Sequence, residues 1–499
     1  MMRRTAVVLL PAIGLAACSF APPYRVPTTA PLPQTFKESQ DWKVAEPRDA
    51  ASRGDWWSIF NDPQLDDLET ASHKANQSLK AAFARLQQAR ADTRIARADL
   101  FPQVNGEASA LRGRTSPNSP RFLPGSPTVG NDFDLEADVS YEIDLWGRVR
   151  NEVASAKAAQ QASAADLASL ELSVQAELAA DYFSLRSRDR QQILLDKTVE
   201  DYEVSVKLQQ NLFDGGAIPL SDLAQAQAQL ETARTQATDN NLIRAQTEHA
   251  IAVLIGVNPS AYHLPVNPLA AASVPPAIDP GLPSSLLERR PDIAEAERRV
   301  ASANAQIGVA RAAYFPQFSL TGSAGYNSVH SYNWLSAPSR FWSICPEVTL
   351  PIFQGGRLVA QSDRAKAAYD EQVANYRNSV LSAYQDVENN LAAQRQLERE
   401  EHTQAAAVAA TTTALQQAQY RYNAGAVTYL EVSVAETAAL QAQLAAVNIQ
   451  LRRLDASVLL VKSLGGGWND AELPTARSTK RSQSNAIAQS VDADNNHSQ

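Results

Sequence analysis

Four landmarks of this 499-residue chain occur twice. "ARADLFPQV" at 96–104 returns as "ARAAYFPQF" at 310–318, and "DLWGR" ending at Arg148 returns as "FQGGR" ending at Arg357. "LFDGGAIPLSDLAQA" at 212–226 returns as "RYNAGAVTYLEVSVA" at 421–435, and "LIGV" at 254–257 as "SLGG" at 463–466. The last three pairs share one offset, since 357 − 148, 425 − 216 and 465 − 256 all equal 209, while the FPQ pair sits at 315 − 101 = 214. Such constant spacing marks an internal duplication. Whatever one copy folds into, the other must match.

Both copies follow the same order. A helical stretch runs to FPQ, where Pro102 or Pro316 removes a donor and ends it. Two alternating runs follow, separated by a Pro-, Ser- and Gly-rich loop in copy one and by "SYNWLSAPSR" in copy two. A long helical stretch then starts near Gly147 or Gly356, and a second helix follows a glycine-containing turn. Leu167, Leu170, Val174, Leu178, Tyr182 and Leu185 step by three or four residues, which is helical spacing. A helix from Arg148 to Leu212 would be roughly 100 Å long. Alanine- and glutamine-rich helices of that length pack as coiled-coil arrays.

The run "DFDLEADVSYEIDLWG" at 132–147 has period two. Phe133, Leu135, Ala137, Val139, Tyr141, Ile143 and Leu145 take one face; Asp132, Asp134, Glu136, Asp138, Glu142 and Asp144 take the other, with Ser140. Copy two alternates over "QFSLTGSAGY" and again over 341–353, where Pro346 and Pro351 argue against an interior strand of a soluble sheet. Alternation of this kind fits a membrane barrel, apolar toward lipid and polar toward the lumen, and equally a soluble sheet with one wet face. Two hairpins give four strands, too few to enclose a lumen, and an open edge is not viable in lipid. A barrel therefore needs several copies of the chain. Two, three or four copies satisfy closure equally well.

The beginning, "MMRRTAVVLLPAIGLAACSF", has a basic start, a short apolar stretch and "LAAC", which resembles a bacterial lipobox. It predicts cleavage after residue 17, a lipidated Cys18, and, with Ser19 following, the outer membrane. Removing Arg3 and Arg4 takes the net charge from −9 to −9 − 2 = −11, which argues against a nucleic-acid partner. Two cysteines make no disulfide framework. The six histidines lack metal-ligand spacing, and we find no phosphate loop, nucleophile elbow or Cys/His constellation. The expectation is a protein that is not an enzyme and has no cofactor beyond the covalent lipid. "RRPDI" at 289–293 reads as a helix start, with Pro291 in the first turn and Asp292 at the positive end.

"WWSIFNDPQLDDL" (56–68), "LLERRPDI" (286–293), "IGVARAAYFPQFSLTGSAG" (307–325), "LPIFQGGR" (350–357) and "SLGGGW" (463–468) together resemble the outer-membrane factors of tripartite efflux systems, the NodT-like lipoprotein branch. The resemblance covers roughly residues 20–470. It implies an α+β membrane protein in which three chains form a 12-stranded β-barrel and a long α-helical periplasmic tunnel. The implied role is a passive exit duct docked to a periplasmic adaptor and an inner-membrane transporter. The domains expected are a signal peptide (1–17), an N-terminal equatorial segment (18–56), repeat one (57–258, hairpin 103–145), a linker (259–284), repeat two (285–467, hairpin 317–353) and a polar, disordered tail (468–499).

The resemblance also assigns sites. The turns at Gly215, Gly216 and Ala217 and at Gly425, Ala426 and Val427 would meet the adaptor. Leu430 and Glu431, with Asp222 at the matching place in copy one, would form the periplasmic gate; the family often has an acid where Val434 stands. The six acids from Asp132 to Asp144 would line the lumen, and rings of that sign favour cations. The competing reading is a periplasmic coiled-coil lipoprotein tether without channel activity. Cargo and pump class stay open.

Overall fold

A computed structural model describes residues 19–29, 35–39, 55–270 (apart from 121, 122, 124 and 126), 275, 276, 278 and 289–466. The signal peptide, Cys18 and the polar tail lie outside the described residues. In chain order the main elements are α1 (Pro63–Ala75), α2 (Gln77–Ala98), β1 (Gln103–Arg114), β2 (Val129–Ile143), α3 (Arg148–Asp214) and α4 (Leu220–Leu254). The second series is α5 (Pro291–Ala312), β3 (Gln317–Ser328), β4 (Arg340–Thr349), α6 (Arg357–Asn423) and α7 (Tyr429–Ser463). The duplication is visible in the helix ends: 357 − 148, 423 − 214, 429 − 220 and 463 − 254 all equal 209. α3 and α6 each have 67 residues, about 100 Å at 1.5 Å per residue. None of the described helices is long and apolar enough to cross a membrane.

The chain divides into two compact units, the first from residues 1–28, 85–164 and 295–377, the second from 29–84, 165–294 and 378–499. The first holds one antiparallel sheet in the order β1-β2-β3-β4, so β1 and β4 are both edge strands. Two strand ends differ from the sequence expectation. β4 stops at Thr349, because Pro351 has no donor to extend the ladder, so Leu350 and Ile352 fall outside it. β2 stops at Ile143, so the alternation does not carry Asp144 and Leu145 into the sheet.

Next to the strands, aromatic and ionic contacts fix the entry into α3. Phe20 stacks on Phe315 at 4.3 Å, Trp146 lies 5.1 Å from Phe315, and the Trp146 indole N–H donates to the Pro316 carbonyl at 2.6 Å. Arg148 grips Glu142 through two hydrogen bonds of 2.8 and 2.7 Å. Further along, Ser155 and Ser302 meet at 2.8 Å where small residues bring α3 and α5 together.

The second unit holds the apolar core. Trp56, Trp57, Leu65 and Leu68 pack on Leu178, Tyr182, Phe183, Ile251, Leu454 and Val458. Two of its aromatic residues carry polar atoms inside and keep them paired: Trp56 donates to Gln175 at 2.9 Å and Tyr182 to Asp62 at 2.6 Å. Asp62 also caps α1. α5 begins at Pro291, as "RRPDI" predicts, and Arg290 ties that start to Asp292 (2.7 Å), Asp386 (3.2 Å) and the Ser463 carbonyl (3.1 Å).

Candidate functional site

The strand register separates two chemistries. On one face lie Val104, Phe133, Leu135, Val139, Tyr141, Ile143, Phe318, Leu320, Tyr326, Trp342, Ile344 and Val348. Trp342, Ile344 and Val348 are 76%, 67% and 58% exposed, so an apolar face of one four-stranded sheet stands uncovered in the single chain. The opposite face carries every carboxylate of the four strands: Glu107, Asp132, Asp134, Glu136, Asp138, Glu142 and Glu347.

Across that polar face Glu136 pairs with Glu107 and Gly325, and Asp138 with Asn105 and Ser323. Carboxylate oxygens of Glu107, Glu136 and Asp138 lie within 4.8 Å of one another. Gly325 lets β3 approach β2 closely beside Glu136: a Cβ there would collide with the Leu135 carbonyl oxygen and meet the Glu136 Cα at 2.8 Å. Asn327 donates to Asp132 at 2.9 Å. Asp144 sits apart from this group, contrary to the sequence expectation. Its carboxylate accepts from the Arg150 backbone N–H at 2.9 Å and from the guanidinium at 3.1 Å, at the positive N-terminus of α3. Glu107 is silent in the sequence because its strand, "QVNGEASALRGR", places glycine and alanine where an apolar signal is needed.

The two helix turns in the second unit are built alike. Gly216 and Gly425 hold φ of 72° and 70°, a left-handed conformation that glycine adopts without strain. Ala217 N–H reaches the Leu212 carbonyl at 2.8 Å and Ala426 N–H the Arg421 carbonyl at 2.9 Å, closing equivalent caps. Gly215 and Val427 lie within the same turns, between the paired helices. Gln209 donates to the Tyr422 hydroxyl at 2.8 Å and Gln229 to the Ser433 carbonyl at 2.9 Å, so the two hairpins are bonded to each other just behind their turns. Leu430 and Val434 are 57% and 62% exposed. Glu431 is ion-paired with Arg421, whereas Asp222 accepts from the neighbouring Ser221 hydroxyl at 3.2 Å.

Two acids on α7 lie against acids on α3. Burial, then the charge of Asp201, pushes Glu436 up to about 7. Burial, then Asp181, does the same to Asp455, also about 7. Asp181 itself rises to about 6, through burial and then Glu177. A further buried cluster joins Asp189, Arg186, Arg244 and Glu248, with Arg244–Asp189 at 2.6 Å. It holds the chain after α4 through the Leu264 and Pro265 carbonyls, at 2.9 and 2.8 Å. Among the histidines, His73 and His263 each face one glutamate, at 2.7 and 3.1 Å.

Comparison with known proteins agrees with this geometry. The profile of the Outer membrane efflux protein family matches residues 71–257 and 282–466, one match per repeat. Outer membrane protein OprJ of Pseudomonas aeruginosa is 33% identical over 469 residues, covering 93% of this chain and 95% of its own. Cation efflux system protein CusC of Escherichia coli is 31% identical over 460 residues, covering 92% and 97%. The open-state crystal structure of the MtrE outer membrane channel of Neisseria gonorrhoeae superposes with a TM-score of 0.79 at 31% identity, over 92% of this chain and 100% of that one.

Proposed function

We infer the detailed function from one premise: the chain belongs to the outer membrane efflux protein family. It is an outer-membrane efflux channel. We propose that three copies complete it, giving 4 × 3 = 12 strands. The observation that carries this reading is the sheet itself. Among the described residues both edges are unpaired, one face is apolar and exposed, and the other is acidic. In lipid, unpaired N–H and C=O groups must find partners, and further copies of the same edges supply them. A soluble tether has no use for an exposed face of Trp342, Ile344 and Val348.

In that barrel the apolar face meets acyl chains and Glu107, Asp132, Asp134, Glu136 and Asp138 line water. The channel is passive. Cargo enters from the periplasmic end, where the turns at Gly216 and Gly425 dock the hairpins of an adaptor bound to an inner-membrane transporter. Leu430, Glu431 and Asp222 stand at the constriction, which opens by a shift of the paired helices. An acyl chain on Cys18 anchors the N-terminus. Conductance of the purified protein in planar bilayers tests the duct. Open pores should prefer cations, and Glu107→Gln with Glu136→Gln and Asp138→Asn should lower that preference. A protein that inserts without ever conducting would sink the proposal.

A further inference from the structure

The sheet segregates its charges by face as well as by sequence. All of its carboxylates point to the polar side, while its three arginines, Arg112, Arg114 and Arg340, take positions of the apolar, lipid-directed parity. They are also confined to one end. Arg112 and Arg114 are the last outward positions of β1 before the first hairpin loop, and Arg340 is the first of β4 after the second. This is the end away from the helices. All three are exposed. Among the described residues none of the three has a carboxylate within ion-pair distance; Arg340 Nε donates instead to the Ala337 carbonyl of its own turn, at 3.3 Å.

A guanidinium placed outward at a barrel rim faces lipid headgroups, and arginines without carboxylates there need anionic oxygens. We propose that Arg112, Arg114 and Arg340 form a headgroup-binding rim for a phosphorylated glycolipid of the outer leaflet, of the lipid A type. The inference rests on the barrel reading. The partner follows from charge complementarity and position. The helices extend into the periplasm, so the hairpin end faces the cell surface, where the outer leaflet presents sugar phosphates. Arginine's planar fork suits phosphate, donating to two oxygens at once. Arg340 and the Arg112–Arg114 pair sit on opposite edge strands, so joining β4 of one copy to β1 of the next brings them onto neighbouring strands. The aromatic side chains nearby complete an interfacial setting: Phe133 and Trp334 lie 5.8 Å apart at the same end of the sheet.

The test uses full-length protein extracted from outer membranes, stripped of lipid and examined by native mass spectrometry with three probes: bisphosphorylated lipid A, its dephosphorylated form, and phosphatidylglycerol. The expected result is a trimer that retains bisphosphorylated lipid A over both other probes. Replacing the three arginines together (Arg112→Ser, Arg114→Ser, Arg340→Ser) should lower that retention by about tenfold or more, without changing the trimer mass. Lysine at the same positions should restore part of it. If the triple variant fails to assemble, Arg112→Ser and Arg340→Ser singly must each lower retention. Equal retention by wild type and variants would overturn the inference, as would equal retention of phosphatidylglycerol or of dephosphorylated lipid A. A monomeric wild type would instead overturn the barrel reading on which it stands.

Discussion

The two hairpins share a backbone plan but not an inner surface. Outward, both are apolar: Phe133, Leu135 and Val139 on β2 match Leu320, Ile344 and Val348 on β3 and β4. Inward, the first hairpin presents Glu107, Asp132, Asp134, Glu136, Asp138 and Glu142, while the second presents Ser319, Thr321, Ser323, Ser343 and Cys345 with Glu347 as its one acid. In the proposed barrel, lipid keeps the outward face apolar below the arginines at the hairpin end, because a charge at that depth is expensive. Water sets no such demand on the inward face, so the copies diverged where divergence was cheap. The same asymmetry runs through the helices. The positions 209 before Glu436 and Asp455 are Gln227 and Gln246, and the position 209 before Arg421 is Leu212.

The largest expected effect contrasts the buried cluster of copy one with the matching position of copy two. Asp189 is 1% exposed between Arg186 and Arg244. Asp189→Ala leaves those guanidiniums without their carboxylate and should cost about 3–5 kcal/mol in thermal or denaturant unfolding. Its counterpart Glu398 (189 + 209) is exposed, and Glu398→Ala should change stability by less than about 0.5 kcal/mol. Equal losses would mean the copies are energetically alike after all.

Next come the outward faces, where the hairpins should behave identically. Leu135→Arg and Ile344→Arg each place a charge against lipid and should cost about 2–4 kcal/mol if they lie near the bilayer midplane. The amount of assembled protein in the outer membrane reads this out. Thr321→Arg, on the inward face, should assemble normally. If it fails as badly as Leu135→Arg, the assignment of faces is wrong.

A pH dependence should come from buried carboxyls of both copies, and among them Glu436 and Asp455 on α7 of copy two lie against acids on α3 of copy one, Asp455 against Asp181. Burial raises Glu436 and Asp455 to about 7, so each folded carboxyl keeps a proton that the unfolded chain has already released. Their contribution is therefore fully present below the unfolded values, 4.5 and 3.8, and is lost as pH rises toward about 7. Glu436→Gln and Asp455→Asn should flatten that decline in melting temperature measured across this range. Gln227→Glu and Gln246→Asp would show whether the equivalent sites of copy one can be given the same response. The smallest effect is expected at the turns: the exposed Arg421–Glu431 pair is worth at most about 1 kcal/mol. Glu431→Lys should nonetheless raise resting conductance, while Asp222→Lys, at a residue with no ion pair among the described residues, should raise it less.

What can be read in the sequence is whatever repeats or alternates. The offset of 209, the long helices, the glycine turns and strands β2, β3 and β4 leave a periodic trace. Glu107 leaves none, because Gly106, Ala108 and Ala110 carry too little hydrophobic contrast to mark the outward face of β1. The Arg186–Asp189–Arg244–Glu248 cluster is equally silent, since its members come from two helices and its meaning depends on burial. Asp144 misleads in the opposite way. It continues the alternation by one step, yet the chain has already turned toward α3, where its carboxylate serves Arg150.

The proposed duct stands or falls on whether copies of this chain close one barrel. The most direct measurement is the mass of the protein extracted from outer membranes in mild detergent, by light scattering with the detergent contribution subtracted. Three chains that stay together on dilution are expected. A stable monomer, its sheet edges open and its apolar face merely covered by detergent, would contradict that closure.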